Sequence, residues 1–195
     1  MRGAGGSFAS RQPGPSPRSA APRVELRAAR EADLPRIAAI WNHEVLSSDS
    51  TTDTEPRDPT AQREWFAWHT PRYPIVVATV APGGLERDGE VVVAYGSLSP
   101  YRPKPAFART VEDSVYVARE HRGAGLGGQI LTELIQRARA LEHHSIVARI
   151  TARNTASLRL HARHGFRPIG IERESAFKLG RWHDVAIMQR RLDSR

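Results

Sequence analysis

Apolar residues in the first half of the chain recur at two different spacings, which predict strands and helices. The segment VELRAA at 24–29 alternates apolar and polar residues, as a strand with one buried face does. Asp33-Leu34-Pro35 is typical of a helix start. The predicted elements of this half are a strand at 24–29, a helix from about Leu34 that contains Ile37, Ile40, Trp41 and Val45, a polar loop at 47–59, a helix at 60–69, and strands at 73–80 and 90–100.

The second half of the chain begins with a proline-rich elbow at 101–108. Residues 125–141 then place Ile130, Leu131, Leu134, Ile135 and Ala138 on one stripe, which predicts a helix with one buried face. The remaining predicted elements are strands at 110–117 and 145–151, a short helix at 154–165 that ends at Gly165, and closing strands at 166–174 and 183–192. The order β-α-α-β-β-β-α-β-α-β-β predicts an α/β (α+β) layer structure with a mixed, mostly antiparallel sheet.

Length and composition fit one globular domain preceded by a tail. A chain of 195 residues, 39% of them hydrophobic, is long enough to bury one substantial core. Residues 1–22 are rich in Gly, Pro, Ser, Ala and Arg, so we expect a disordered tail before a domain at 23–195. No apolar run approaches the roughly 20 residues that cross a bilayer, and no secretory signal is recognisable. We therefore expect a cytoplasmic protein without a membrane partner.

The net charge of +8 is concentrated in the tail. Four arginines and no acids lie in residues 1–23, which leaves 25 basic and 21 acidic residues for the remainder. A mildly basic domain suits a phosphorylated cofactor, and the lack of a basic helix interleaved with aromatics argues against nucleic acid. The chain has no cysteine, which excludes disulfides, thiolate catalysis and Cys-based zinc sites. His143, His144 and His164 form no metal-binding pattern with nearby carboxylates, so no metal is expected.

A glycine-dense segment precedes the apolar helix and fits several nucleotide-binding templates. Gly123, Gly125 and Gly128 satisfy G-x-G-x-x-G. A Rossmann unit is nevertheless disfavoured, because Ala118 to Arg122 separate the motif from its strand and the next strand ends without an acid for a ribose. A P-loop is excluded because Gly-Lys-Ser/Thr is missing.

A third template, Arg/Gln-x-x-Gly-x-Gly/Ala, is met by Arg122 to Gly127. Residues without a Cβ let consecutive N–H groups converge at a helix N-terminus, where unpaired donors and the helix dipole favour an anion such as a diphosphate. The alternative is a glycine-rich turn that only lets the helix pack closely on the sheet. The loop taken alone does not distinguish these two interpretations.

Flanking motifs resemble the GCN5-related N-acetyltransferase (GNAT) superfamily, whose acetyl-CoA site combines this loop with a preceding strand and a later Asn-x-x-Ser helix. The segments TEP (54–56), TVEDSVYV (110–117), LHARHGF (160–166) and GRWHDV (180–185) resemble its phosphinothricin and methionine sulfoximine acetyltransferase branch. The resemblance spans about residues 24–192. It implies the GNAT fold, with splayed strands that form the acetyl-CoA cleft, and suggests a homodimer.

The resemblance also implies which residues hold acetyl-CoA. The pantetheine arm would pair with the backbone of the strand before the loop, in the manner of an added strand. The loop would hold the diphosphate through its amides. The implied cofactor-binding residues are Val115, Tyr116, Val117, Arg122, Gly123, Ala124, Gly125, Leu126, Gly127, Asn154, Ser157 and Arg163. Asn154 is also a good helix cap, and Arg163 fits a solvated helix surface equally well.

Two residues match catalytic positions of the branch. An alkylammonium has no lone pair at neutral pH, so a base has to remove a proton before attack, and Glu112 occupies the position of that base. An ordinary salt-bridged glutamate is the alternative. Asp113 points to the opposite face of a regular strand and is the weaker candidate. His161 stands where many members place a tyrosine that protonates the leaving thiolate, and its near-neutral pKa suits a donor or a relay.

An amino-acid acceptor needs a cation for its carboxylate, and the resemblance makes Arg102, Phe107 and Arg109 the acceptor-binding residues. The match is incomplete, because Ala108 separates Phe107 from Arg109 and a one-residue offset reverses the face in a regular strand. Lys104 is the possible substitute. Thr52 and Asp53 also replace an aromatic that is common in the branch.

The function implied is acetyl-CoA-dependent N-acetylation of a small amino-acid-like substrate, of the phosphinothricin or methionine sulfoximine/sulfone type, by direct transfer in a ternary complex. Two alternatives remain. One is acetylation of another amine, such as a protein N-terminus, a polyamine or an antibiotic. The other is a non-catalytic CoA-binding regulatory module, against which the presence of Glu112 and His161 argues.

Overall fold

A computed structural model describes residues 24–81 and 90–192 of the chain. The predicted tail at 1–22 and residues 82–89, between the strands predicted at 73–80 and 90–100, lie outside the described residues. Within the two described ranges, no helix is both long enough and apolar enough to cross a membrane.

The order of strands and helices is the predicted one. Their bounds are β1 Val24–Ala28, α1 Leu34–Ser47, α2 Pro59–Trp68, β2 Ile75–Val80, β3 Val91–Pro100, β4 Thr110–Val117, α3 Leu126–Ala140, β5 Ser145–Thr151, α4 Thr155–Arg163, β6 Arg167–Lys178 and β7 Arg181–Arg191. The closing hairpin is longer than predicted, because β6 is largely exposed along its length and therefore lacks the alternation that marks a half-buried strand. Its turn is confined to Leu179 and Gly180, which both have positive φ angles of 51° and 75°.

The seven strands form one sheet in the order β1-β2-β3-β4-β5-β7-β6. Every neighbouring pair is antiparallel except β4 and β5, which run parallel and are connected through α3. A parallel pair requires such a crossover, since a hairpin can join only antiparallel strands. The predicted mixed, mostly antiparallel sheet is confirmed.

Helices cover both faces of the sheet. The apolar stripe of α3 packs on one face against buried residues of β2 to β5, with Ile130, Leu131 and Leu134 fully buried. On the other face α1 buries Ile37, Ile40, Trp41 and Val45 against β2 and β3. Solvent is thus excluded from the centre of the sheet on both sides, and the chain forms a sheet between two helical layers.

Gly96 of β3 lets α3 approach the sheet closely. A Cβ at this position would lie 2.5 Å from Ile130 Cγ2, 2.9 Å from Leu134 Cδ1 and 2.8 Å from the carbonyl oxygen of Ser114. The last of these is a backbone atom within the sheet and cannot rotate away. A glycine is therefore required by packing.

Gly96→Ala should lower the free energy of unfolding by about 1–3 kcal/mol, the usual effect of an added methyl group in a close-packed core. The matched control is Gly170→Ala in β6, where an added Cβ would meet no heavy atom within 4 Å. Urea unfolding of the two variants measures the difference. Equal stability of the two would show that α3 shifts without strain and that Gly96 is not required.

Candidate active site

The sheet opens at the junction of β4 and β5. Their pairing joins Thr110–Glu112 to Ser145–Val147, whereas in the described structure both strands continue beyond these residues without pairing to each other. A groove begins at that point. It is lined by the later part of β4, the glycine loop, the first turn of α3, the end of β5 and one side of α4. Most of the residues predicted to bind cofactor are thereby brought together.

Two residues of the glycine loop have a backbone conformation that favours glycine. Gly123 and Gly125 have φ angles of 82° and 78°, in the left-handed region where a side chain is unfavourable. Gly125 precedes α3 and offers no side chain to cap the first-turn N–H groups. Unpaired amides at a helix N-terminus attract an anion. The loop therefore fits the diphosphate-binding interpretation.

Gly127 brings the first turn of α3 close to the groove floor. A Cβ there would lie 3.3 Å from Leu160 Cδ2 and within 4 Å of Val115 and Val117 side chains. All four residues line the groove. A side chain at Gly127 would consequently fill space in the groove.

The side chain of Arg122 points away from the loop amides. Its Nε donates to the carbonyl oxygen of Val117 at 3.2 Å, and its Nη2 pairs with Glu44 Oε1. Glu44 is buried in α1, and its second oxygen accepts from Ser48 Oγ at 2.6 Å. This ion pair ties the glycine loop to α1. Sequence reasoning missed Glu44, although an acid on the apolar stripe of α1 was the available signal.

Glu112 is the last residue of β4 that pairs with β5. Desolvation raises the pKa of Glu112, and the positive charge of Arg149 opposes that rise most strongly. Asp113 and Glu172 raise its pKa further, whereas Arg102 lowers it. A carboxylate with a raised pKa is a better proton acceptor, so the predicted base lies at the head of the groove in a suitable environment.

Asp113 projects to the opposite face of β4, as predicted, and is buried there against His161. The His161 Nε2 lies 2.9 Å from Asp113 Oδ2, and its Nδ1 lies 2.8 Å from the carbonyl oxygen of Ser157. Burial by itself would lower the pKa of His161, but the hydrogen bond and charge of Asp113 outweigh desolvation and raise it. A carbonyl can only accept, so Nδ1 carries a proton. His161, the predicted proton donor, is thus held in a buried pair with Asp113.

Asn154 caps α4 beside the groove. Its Oδ1 accepts from the backbone N–H of Ser157 at 3.0 Å. Asn154, Ser157, His161 and Arg163 all line the groove. The capping alternative for Asn154 is therefore observed, and a role in binding cofactor remains compatible with it.

The predicted acceptor residues are only partly brought together. Arg102 stacks on Tyr101, with the guanidinium carbon 4.8 Å from the ring centre, and Phe107 packs edge-on against the same ring. Arg109 instead points to the turn between α3 and β5, where Nε donates to the carbonyl oxygen of Glu142 at 2.9 Å. Arg109 is thus directed away from the groove, as the one-residue offset in the sequence indicates, and the acceptor-binding role of these three residues stays a prediction.

A buried lysine and a half-buried arginine contact the loop between α1 and α2, which sequence reasoning did not anticipate. Lys178 Nζ donates to the carbonyl oxygens of Thr51 at 2.8 Å and Glu44 at 3.3 Å, and burial lowers its pKa. The guanidinium of Arg57 lies between the rings of Trp41 and Trp65, 4.2 and 4.6 Å from their centres. Thr52 and Asp53, which this loop carries, line the groove.

Comparison with known proteins agrees with this geometry. Residues 40–166 match the Acetyltransferase (GNAT) family. An L-methionine sulfoximine/L-methionine sulfone acetyltransferase of Pseudomonas paraeruginosa is 42% identical over 87% of this chain and 95% of its own length. A phosphinothricin N-acetyltransferase of Streptomyces coelicolor is 39% identical over 87% and 96%. A phosphinothricin acetyltransferase of Sinorhizobium meliloti, solved with acetyl-CoA, superposes with a TM-score of 0.78 at 34% identity, covering 86% of this chain and 88% of that one.

Proposed function

The chain belongs to the acetyltransferase (GNAT) family, and on that basis we propose that it transfers the acetyl group of acetyl-CoA to the amino group of a small amino-acid-like acceptor. The acceptor class is of the phosphinothricin or methionine sulfoximine/sulfone type. The relatives named for these activities support this choice, since they match nearly the full described chain. The acetyl-CoA bound in a homologous structure supports the cosubstrate.

One observation carries the proposal: Glu112 and the glycine loop stand at opposite ends of one groove. Glu112 marks the point at which β4 and β5 part, and the same strand leads through Val117 to the loop. The backbone amides from Arg122 to Gly127 would hold the diphosphate of acetyl-CoA, and its pantetheine arm would extend along β4 toward Glu112. Bound in this way, the cosubstrate supplies an activated acetyl thioester.

Residues of this chain would move the protons and stabilise the negative charge of the transfer reaction. Glu112 accepts a proton from the acceptor ammonium, directly or through water, and leaves a lone pair for attack. The backbone N–H of Val115 stabilises the negative charge that develops on the carbonyl oxygen. His161 supplies the proton for the leaving thiolate through the hydroxyl of Ser157, whose Oγ lies 3.3 Å from Nδ1. No acyl-enzyme is required, because the amine attacks the thioester itself.

An acceptor screen tests this function directly. Thiol release from acetyl-CoA is followed with phosphinothricin, methionine sulfoximine and methionine sulfone, and in parallel with a polyamine and a peptide bearing a free N-terminus. Turnover with the three amino acids supports the proposal. Turnover with only the polyamine or the peptide would overturn the acceptor class, and turnover with none would favour a non-catalytic module.

We also propose that the chain forms a homodimer and acts in the cytoplasm, and an exposed apolar patch on the closing hairpin supports the dimer. Phe177, Leu179 and Trp182 are 57, 54 and 59% exposed, and large exposed apolar side chains side by side are typical of an interface. Light scattering should therefore give about twice the chain mass of 21.6 kDa. A mass of one chain at micromolar concentration would contradict the dimer.

A further inference from the structure

Arg149 is the one charged residue of strand β5. Its neighbours Ala148 and Ile150 are buried. Val147 pairs with Glu112, and Arg149 lies two residues further, so both Arg149 and Glu112 project from the same face of the sheet. Arg149 is beyond the last paired residue and lines the groove. The acceptor side of the groove therefore contains a cation next to the proposed base.

A carboxylate on β6 holds Arg149 in place. Its Nη1 and Nη2 donate to Glu172 Oε1 and Oε2 at 3.0 and 2.5 Å, a paired geometry that fixes the guanidinium plane. The two side chains reach across β7, which lies between β5 and β6. They are 34 and 35% exposed, so the pair faces open space. Two of the five N–H donors are used by Glu172, and the others remain suitable for a second anion.

Arg149 is close enough to Glu112 to influence the pKa of its carboxyl. Among the charges that affect Glu112, that of Arg149 has the largest influence, and it lowers the pKa that burial raises. The other charged groups that influence the pKa of Glu112 are Asp113 on the opposite face of its own strand, Glu172 on β6 and Arg102 at the elbow. An acceptor ammonium at Glu112 would therefore have a fixed guanidinium close by.

We propose that Arg149, oriented by Glu172, binds an anionic group of the acceptor, a carboxylate or a phosphinate, and so places the amine at Glu112. This inference rests on the proposed function. An α-amino acid carries its amine and carboxylate on one carbon, so a base and a cation on one face of the groove match both groups. Arg109 points to the turn between α3 and β5, whereas Arg149 lines the groove on the same face as Glu112. A guanidinium is well suited, since it binds oxyanions through two parallel hydrogen bonds.

Arg149→Met and Arg149→Lys test this role with phosphinothricin, methionine sulfone and the methyl ester of methionine sulfone. For the two amino acids, Arg149→Met should raise KM by about ten- to hundredfold, as expected for a lost charge-assisted pair. The ester lacks the carboxylate, so its KM should be the same in wild type and variant if the carboxylate is bound. If only the phosphinate is bound, phosphinothricin alone should show the increase.

Two further measurements separate binding from a structural role. Calorimetric titration of each acceptor into protein saturated with CoA should show the same loss of affinity without turnover. Arg149→Met should also move the acid limb of the kcat/KM profile to higher pH, because the Glu112 carboxyl loses its main positive neighbour, whereas Arg149→Lys should leave the limb near its wild-type position. Arg173→Met, which breaks the exposed Arg173–Asp184 pair on the same hairpin, is the matched control.

The outcomes are distinct. A KM increase of the same size for methionine sulfone and its ester, or no change with any acceptor, would refute the role of Arg149 and leave the proposed function intact. If the wild type acetylates no amino acid, the acceptor class is wrong and the role of Arg149 fails with it. Should Arg149→Met not fold, a KM increase confined to anionic acceptors in Arg149→Lys would support the proposal, and unchanged KM values would oppose it.

Discussion

Glu112→Gln should reduce kcat by about 10²- to 10⁴-fold, the range by which general bases accelerate proton transfer. The amide is close to the carboxylate in size and cannot accept the ammonium proton. Because the glycine loop is unaltered, the affinity for CoA should be unchanged. Steady-state kinetics of acceptor turnover and calorimetry with CoA measure the two quantities. Glu133→Gln, on the outer part of α3 where the carboxylate pairs with Arg137, is the matched control.

The pH dependence provides a second check on Glu112. Burial raises the pKa of Glu112. The carboxylate that accepts the proton is therefore lost, as the pH falls, at a higher pH than for an ordinary glutamate. The acid limb of the wild-type kcat/KM profile should lie correspondingly high and should be missing from the residual activity of the Gln variant. Wild-type-like turnover in the variant would rule out the role of Glu112 as the base.

Asp113→Asn should destabilise the chain by about 3–5 kcal/mol, because it leaves one member of a buried ion pair without its partner. The side chains of His161 and Asp113 are only 4 and 1% exposed, so solvent cannot compensate. Urea unfolding measures the loss. Asp184→Asn, at an ion pair with an arginine that is 76% exposed, is the matched control and should have little effect.

The stability gap between wild type and Asp113→Asn should depend on pH in a defined direction. Asp113 raises the pKa of His161 in the folded protein, so the stabilisation is fully present below the unfolded histidine pKa of about 6.5. It is lost as the pH rises through the higher folded value. The difference in unfolding free energy should therefore be larger at pH 6 than at pH 9. A difference that grows with pH, or is negligible at both, would show that the pair is not ionised.

Local sequence patterns determine most of what could be predicted. Periodicity gave the order of strands and helices, since each of those patterns depends on residues close in the chain. Alternation along β4 likewise predicted that Glu112 and Asp113 face opposite sides, which the structure confirms. The glycine positions predicted a loop whose amides are open to an anion, and the left-handed φ angles of Gly123 and Gly125 fit that prediction.

Contacts between distant residues could not be predicted in this way. His161 meets Asp113 across 48 positions, and Arg122 meets Glu44 across 78. Which acid pairs with which base depends on how the strands are ordered in the sheet, and local spacing does not contain that information. The closing hairpin was predicted too short for a related reason, because an exposed edge strand has no buried face to impose alternation.

The most direct test of the central claim, that amides between Arg122 and Gly127 hold the diphosphate of CoA, is calorimetric titration of CoA into the wild type and Gly127→Val. We expect saturable binding of one CoA per wild-type chain and an affinity for CoA at least about tenfold lower in the variant. The reason is that the added side chain would enter the groove, where Leu160 already lies close to Gly127. Gly170→Val, at an open position on β6, should bind like the wild type. No binding of CoA to the wild type, or equal affinity in wild type and Gly127→Val, would contradict the claim.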